Sequence, residues 1–120
     1  MLDTTDLTTA VERLADRLRA APQSRLARGA ATEGLELARE LARRAQLAEN
    51  PGEIPLIMPD AGMFAVADQV TVAGMDLAEA LRTASFGGAE ATESARDARR
   101  AAELAEAVEL VRAAAERAGL

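Results

Sequence analysis

Apolar residues recur along this chain at helical spacing, and the pattern divides it into four segments. In the first, Leu7, Val11, Leu14, Leu18 and Ala21 follow at steps of four, three, four and three, a single stripe that predicts an α-helix over about 4–21. Asp3, Asp6 and the neighbouring threonines offer alternative N-caps. Thr9-x-x-Glu12 matches a capping box that would favour a later start, and Pro22 closes the helix. The second segment, about 24–49, opens on Ser24 as a possible cap and carries Ala27, Ala30, Gly34, Leu37, Leu41, Ala45 and Ala48 in its stripe, flanked by Leu26 and Leu35. Gly29 and Gly34 each weaken a helix by ~1 kcal/mol relative to Ala. They allow either one long helix with a close approach at Gly34, the favoured reading, or a loose first turn before a stable helix from Thr32. Asn50-Pro51-Gly52 is a strong stop.

The third segment, about 60–84, begins at Asp60, a good N-cap. At 100° per residue, Met63, Val66, Val70, Ala73, Leu77, Leu81 and Ala84 form its core face. Asp68, Asp76, Glu79 and Arg82 gather opposite, with Phe64, Val72 and Met75 among them, so this helix is apolar on both sides and should be the central one or carry a contact surface. Ser85-Phe86-Gly87-Gly88 breaks the chain before the fourth segment, about 89–118. Leu104, Val108, Val111 and Ala115 make a clear stripe in its second half. Its first half has nothing larger than Ala to bury, and is expected to project, fray or meet a partner through alanine.

The connector over 50–59 is unusual. Pro51, Pro55 and Pro59 favour extended backbone that can span ~28 Å, enough to cross the end of a bundle or run along its side. Ile54, Leu56, Ile57 and Met58 make it apolar for a loop. The pattern therefore predicts a single all-α domain over 1–120, a four-helix bundle of up-down type with a longer, apolar, proline-containing crossover between its second and third helices. Two helical hairpins completing their core by dimerising are the alternative.

Composition narrows the function. The 120 residues are 49% apolar and 28% charged, a globular balance, but only 2% aromatic, so the core must be aliphatic with close alanine packing. There is no Cys, His, Lys, Tyr or Trp. That removes thiolate and imidazole metal ligands and the common bases for a Ser or Thr nucleophile, so Ser24, Ser85 and Ser94 read as cap, turn and helix surface. Net charge is −6 with neither half basic, which argues against nucleic acid or an anionic membrane as partner. No apolar run nears membrane-spanning length and the acidic start is unlike a secretory signal, so a cytoplasmic location is expected.

Carboxylates are the remaining chemistry. Glu33, Glu36, Glu40, Asp76 and Glu79 could be read as a metal-dependent nucleotide phosphohydrolase, but helical geometry turns Glu36 about 140° away from the Leu41 core face. Solvated helix surface is the preferred reading, with no metal and no cofactor. Arg43-Arg44 and Arg99-Arg100 lie among acids and read as ion-paired faces, with Glu40 pairing to Arg43 or Arg44 and Glu36 to Arg39. Gly87-Gly88 could seat an anion on backbone N–H groups, but Glu90 and Glu93 follow and oppose it.

Ile54, Leu56, Ile57, Met58, Phe64, Val72 and Met75 are left as the candidate contact residues. The connector could cover the outer face of the third helix. It could instead form with that face the seam of a homodimer or a site for another protein, or line a pocket for an apolar small molecule. The expected function is that of a small non-enzymatic interaction or assembly protein, a homodimer, with apolar-ligand binding as the runner-up.

Overall fold

The computed structural model describes residues 1–120 and is all-helical, without strands. Four long helices, α1 (Thr5–Ala20), α3 (Ala31–Glu49), α4 (Val66–Thr83) and α5 (Glu93–Ala118), are supplemented by one short turn of helix, α2 (Gln23–Arg25). They form an elongated body of 51 × 27 × 17 Å. The α1 stripe is buried as its spacing predicts, with Leu7, Val11, Leu14 and Leu18 in the core. Its start follows Asp3, whose Oδ1 accepts the Thr5 N–H at 2.9 Å. Thr9 and Glu12 therefore lie inside the helix and form no capping box.

Between α2 and α3 the chain passes through a wide π-type turn, Leu26–Ala30, broken at Gly29 with φ 136°. That conformation suits a residue without a Cβ. It separates the second segment into a short lead and a stable helix, so the single long helix does not form. The lead begins at Gln23, before Ser24, and Ala27 points to solvent while Leu26 is buried. The close approach at Gly34 is real: a Cβ there would collide with Val66 Cγ1 of α4 and stand 3.3 Å from Leu18 Cδ1 of α1. Gly74 does the same for the α1–α4 contact, where a Cβ would lie 2.6 and 2.7 Å from the two Val11 methyls. Two glycines thus let α4 settle between α1 and α3, and nine of its residues are buried.

The helix directions depart from up-down order. Arg19 reaches Asp68 and Arg82 reaches Thr4, so α1 and α4 are antiparallel. Arg117 pairs with Glu33 while Arg44 pairs with Glu106, so α3 and α5 are antiparallel too. But Gly34 meets Val66 at one end of α3, while Leu47 and Ala48 share a cleft with Leu77 and Leu81 at the other. Hence α3 and α4 run in the same direction, and the connector carries the chain back along the side of the bundle. Consecutive helices α1 and α3 barely touch; each packs instead on α4 and α5.

Two helix starts lie later than the pattern predicts. Asp60 Oδ1 accepts the Gly62 N–H at 2.8 Å, capping a turn and not the helix. Gly62 has φ 92°, and α4 begins only at Val66. Gly87 and Gly88 both have positive φ, and α5 begins at Glu93, where Thr92 Oγ1 accepts the Ala95 N–H at 3.0 Å.

The polar first half of α5 is helical from Glu93 and is anchored by arginine. Arg96 donates to the carbonyls of Phe86 and Gly88, and Arg100 donates to that of Ala84 at 2.7 Å. Both Arg99 and Arg100 stand within 6 Å of the buried Phe86 ring, at 5.8 and 5.7 Å. Charge-assisted bonds to loop carbonyls replace the apolar stripe this half lacks. The Arg100→Ala variant should therefore fray α5 before Leu104 and leave the rest in place. Amide exchange within 93–103 would accelerate at least tenfold while exchange in α1 and α4 stays put; uniform acceleration would refute this local role.

Candidate functional site

The connector from Pro51 to Pro59 lies as a strap over the groove between α3 and α4. Its backbone is tied at four points. Gln46 of α3 makes a two-way clamp on Leu56, donating Nε2–H to its carbonyl at 3.0 Å and accepting its N–H on Oε1 at 2.8 Å. Arg39 Nε, also on α3, donates to the Met58 carbonyl at 2.8 Å, and Gln69 Nε2 of α4 donates to the Pro59 carbonyl at 2.9 Å. The prolines explain why side chains do this work: a segment with three missing N–H groups cannot build a ladder of its own. Arg39 is thereby drawn to the strap and not to Glu36, the partner its spacing suggested.

Fixing the backbone sorts the apolar side chains into two sets. Met58 turns inward and packs with Met63 against the core. Ile54, Leu56 and Ile57 turn outward and are 93%, 81% and 80% exposed. Phe64 in the turn before α4 and Val72 on the outer stripe of α4 are 73% and 56% exposed, whereas Met75 is half-buried against the core. The strap thus leaves three of its four large apolar side chains bare. Of the seven candidate contact residues, five are at the surface and the two methionines serve the interior. Beside the strap, Pro55, Leu56 and Ile57 border a groove of about 290 Å³ whose far wall is Glu36, Arg39, Glu40 and Arg43.

A charged cluster sits where α3 and α5 meet. Arg44 donates to Glu40 at 2.8 Å and to Glu106 at 2.9 Å, with Glu103 at 3.7 Å, and Arg43 forks onto Glu40 with two bonds of 2.9 Å. Arg43 first, and then Arg44, hold the Glu40 carboxyl below its ordinary range despite partial burial. Arg44 likewise lowers Glu106. Burial works against the charged form of Arg44, and its two carboxylate partners outweigh it and raise its pKa.

The five acids weighed as a metal site are scattered among other tasks. Glu33 pairs with Arg117, Glu40 with Arg43 and Arg44, and Glu79 with Arg82, while Glu36 and Asp76 face solvent. No three carboxylates converge on a point a metal could occupy. Ser24, Ser85 and Ser94 are exposed. A cleft of about 490 Å³ opens at the end of the bundle, floored by Leu47, Leu77, Leu81 and Phe86 and rimmed by Arg44, Arg99 and Glu103. The composition of 89–103 gave no hint of this cleft, because it depends on arginines folding α5 onto the Phe86 loop. No helix is long and apolar enough to cross a membrane. No protein-family model, no curated protein and no solved structure matches the chain.

Proposed function

We propose that this protein acts through contact with another protein surface and not through catalysis, and that the strap together with the outer stripe of α4 is its contact face. One observation carries the reading: the strap backbone is fixed by Arg39, Gln46 and Gln69, yet Ile54, Leu56 and Ile57 are presented to water. A connector selected only to link α3 to α4 gains nothing from three bare aliphatic side chains, whereas contact faces are built from such patches. Five large apolar side chains offer on the order of 600–800 Å², close to one partner's half of a standard interface. Assembly into a homodimer is one form of this contact, and the charge of the face bears on which occupant fits.

The test separates a contact role from a folding role. The Ile54→Ser/Ile57→Ser/Val72→Ser variant should keep its thermal stability to within about 0.5 kcal/mol, because these side chains are already solvated in the fold. Any self-association of the parent chain in sedimentation velocity should vanish in the variant. A loss of several kcal/mol would show that the patch belongs to the fold and would sink the reading. The second reading, binding of an apolar small molecule, is favoured by one observation, the 490 Å³ cleft over Leu77, Leu81 and Phe86, whose volume suits such a ligand. It predicts an adduct in native mass spectrometry that a bulky substitution at Ala48 displaces.

A further inference from the structure

The net charge of the chain is concentrated in one stretch. Between Arg44 and Arg82 there is no cationic side chain and there are six acids; the rest carries fourteen arginines against fourteen acids and is neutral. That stretch contains the whole strap and the exposed side of α4. Two of its acids are neutralised from outside, Asp68 by Arg19 and Glu79 by Arg82. Glu49, Glu53, Asp60 and Asp76 have no arginine partner, and neither has Glu36 on the adjoining flank of α3. Of the two cations beside the strap, Arg43 is paired with Glu40, while Arg39 donates to the Met58 carbonyl and keeps its charge next to the unpaired Glu36. The exposed ridge of Ile54, Leu56 and Ile57 therefore lies in a stretch with six acids and no cation of its own, whereas the unpaired acids elsewhere, Asp3, Asp6, Glu12, Glu90, Glu93 and Glu116, share their segments with arginines.

Resting on the reading of this surface as a contact face, we infer that its occupant is a cationic amphipathic segment of a different protein, with Lys or Arg on both flanks of an apolar stripe. The argument is charge complementarity. A second copy in a two-fold contact would set each set of carboxylates against itself, and like charges brought together in an interface are strongly unfavourable. Nucleic acid and anionic lipid are repelled on the same ground. A segment with an apolar stripe covers the ridge, while its flanking cations meet Glu53, Asp60 and Asp76 and steer the encounter.

The probe is a fluorescent amphipathic peptide of roughly 18 residues, five turns of helix, with a Leu stripe flanked by Lys; its control carries Glu on the same flanks. Anisotropy titration should show the Lys peptide binding at least tenfold tighter than the Glu peptide, and less tightly as salt is raised. The Ile54→Ser/Ile57→Ser variant should weaken it at least tenfold. Glu53→Gln/Asp60→Asn/Asp76→Asn should weaken it roughly 5- to 30-fold, as expected for three exposed pairs. Asp6→Asn/Glu12→Gln, away from the face, should change nothing. If the serine variant abolishes binding but the amide variant does not, the contact face stands and the cationic occupant is wrong. If neither variant matters, or no peptide binds at about 100 µM, both inferences fail. A concentration-dependent dimer dissolved by the serine variant would assign the face to a second copy and overturn the cationic partner alone.

Discussion

The Gly74→Ala variant is expected to be less stable than the parent chain by about 2 kcal/mol, although alanine is the better helix former by ~1 kcal/mol. The added methyl would lie 2.6 and 2.7 Å from the Val11 methyls. Val11 is fully buried and β-branched, so it can neither swing into solvent nor change rotamer easily. Either α1 moves off α4 or the clash remains, and such overpacking commonly costs 1–3 kcal/mol or somewhat more. For a chain of this size the midpoint of thermal unfolding should fall by roughly 6–12 °C. The diagnostic is a double-mutant cycle: Val11→Ala, harmful alone because it leaves a void, should recover at least 1 kcal/mol when combined with Gly74→Ala. Additive losses would mean that this contact is not what brings α1 and α4 together. The same logic applies at Gly34, where the obstructing group is Val66 Cγ1.

The second large effect is expected at Arg44. Replacing it with methionine keeps the stem that packs in the α3–α5 seam and removes the guanidinium shared by Glu40, Glu103 and Glu106. The side chain is only 17% exposed, so three neighbouring carboxylates would lose a largely desolvated counter-charge. A fully buried pair broken on one side loses 3–5 kcal/mol; with the Glu106 side sharing solvent, about 1–3 kcal/mol is expected at neutral pH. The deficit should depend on pH with a definite sign. The folded-state pKa values of Glu40 and Glu106 are lowered from 4.5. Their stabilisation is therefore present above that value and lost as pH falls through the lowered ones. In the variant the carboxyls protonate more readily, so the two chains should converge in acid. Urea unfolding at about pH 7 and about pH 3.5 measures this. An equal deficit at both would show that Arg44 does not stabilise the fold through its pairing with Glu40 and Glu106.

What the sequence made legible follows from what periodicity encodes. Spacing identifies a face, and the faces are right: Val66, Val70, Ala73, Leu77, Leu81 and Ala84 are all buried, as are Val108 and Val111. Spacing carries no direction, so the parallel run of α3 and α4 could not be read from it; only the connector's reach allowed a return along the side. Ends depend on local competition. Asp60 was free to cap either a helix or a tight turn, and Gly62 two residues on made the turn available. The anchoring of α5 rests on arginines reaching carbonyls of Ala84, Phe86 and Gly88, which are invisible in a side-chain pattern. The candidate contact residues were found by their apolarity in the wrong place. Which of them stay exposed was decided by the Gln46 clamp on Leu56, which pairs a side chain with backbone ten residues away.

The parallel pairing of α3 with α4 also governs the order in which the chain can fold. A helical hairpin closes locally and quickly, but here the nearest neighbours in sequence, α1 and α3, barely touch. The contacts that lock the centre join Gly34 to Val66 and Val11 to Gly74, over long separations that slow folding through loop-closure entropy. As the polypeptide leaves the ribosome, everything up to Glu49 emerges with its apolar stripes unpaired. The fold closes only when α4 arrives to occupy the space between α1 and α3.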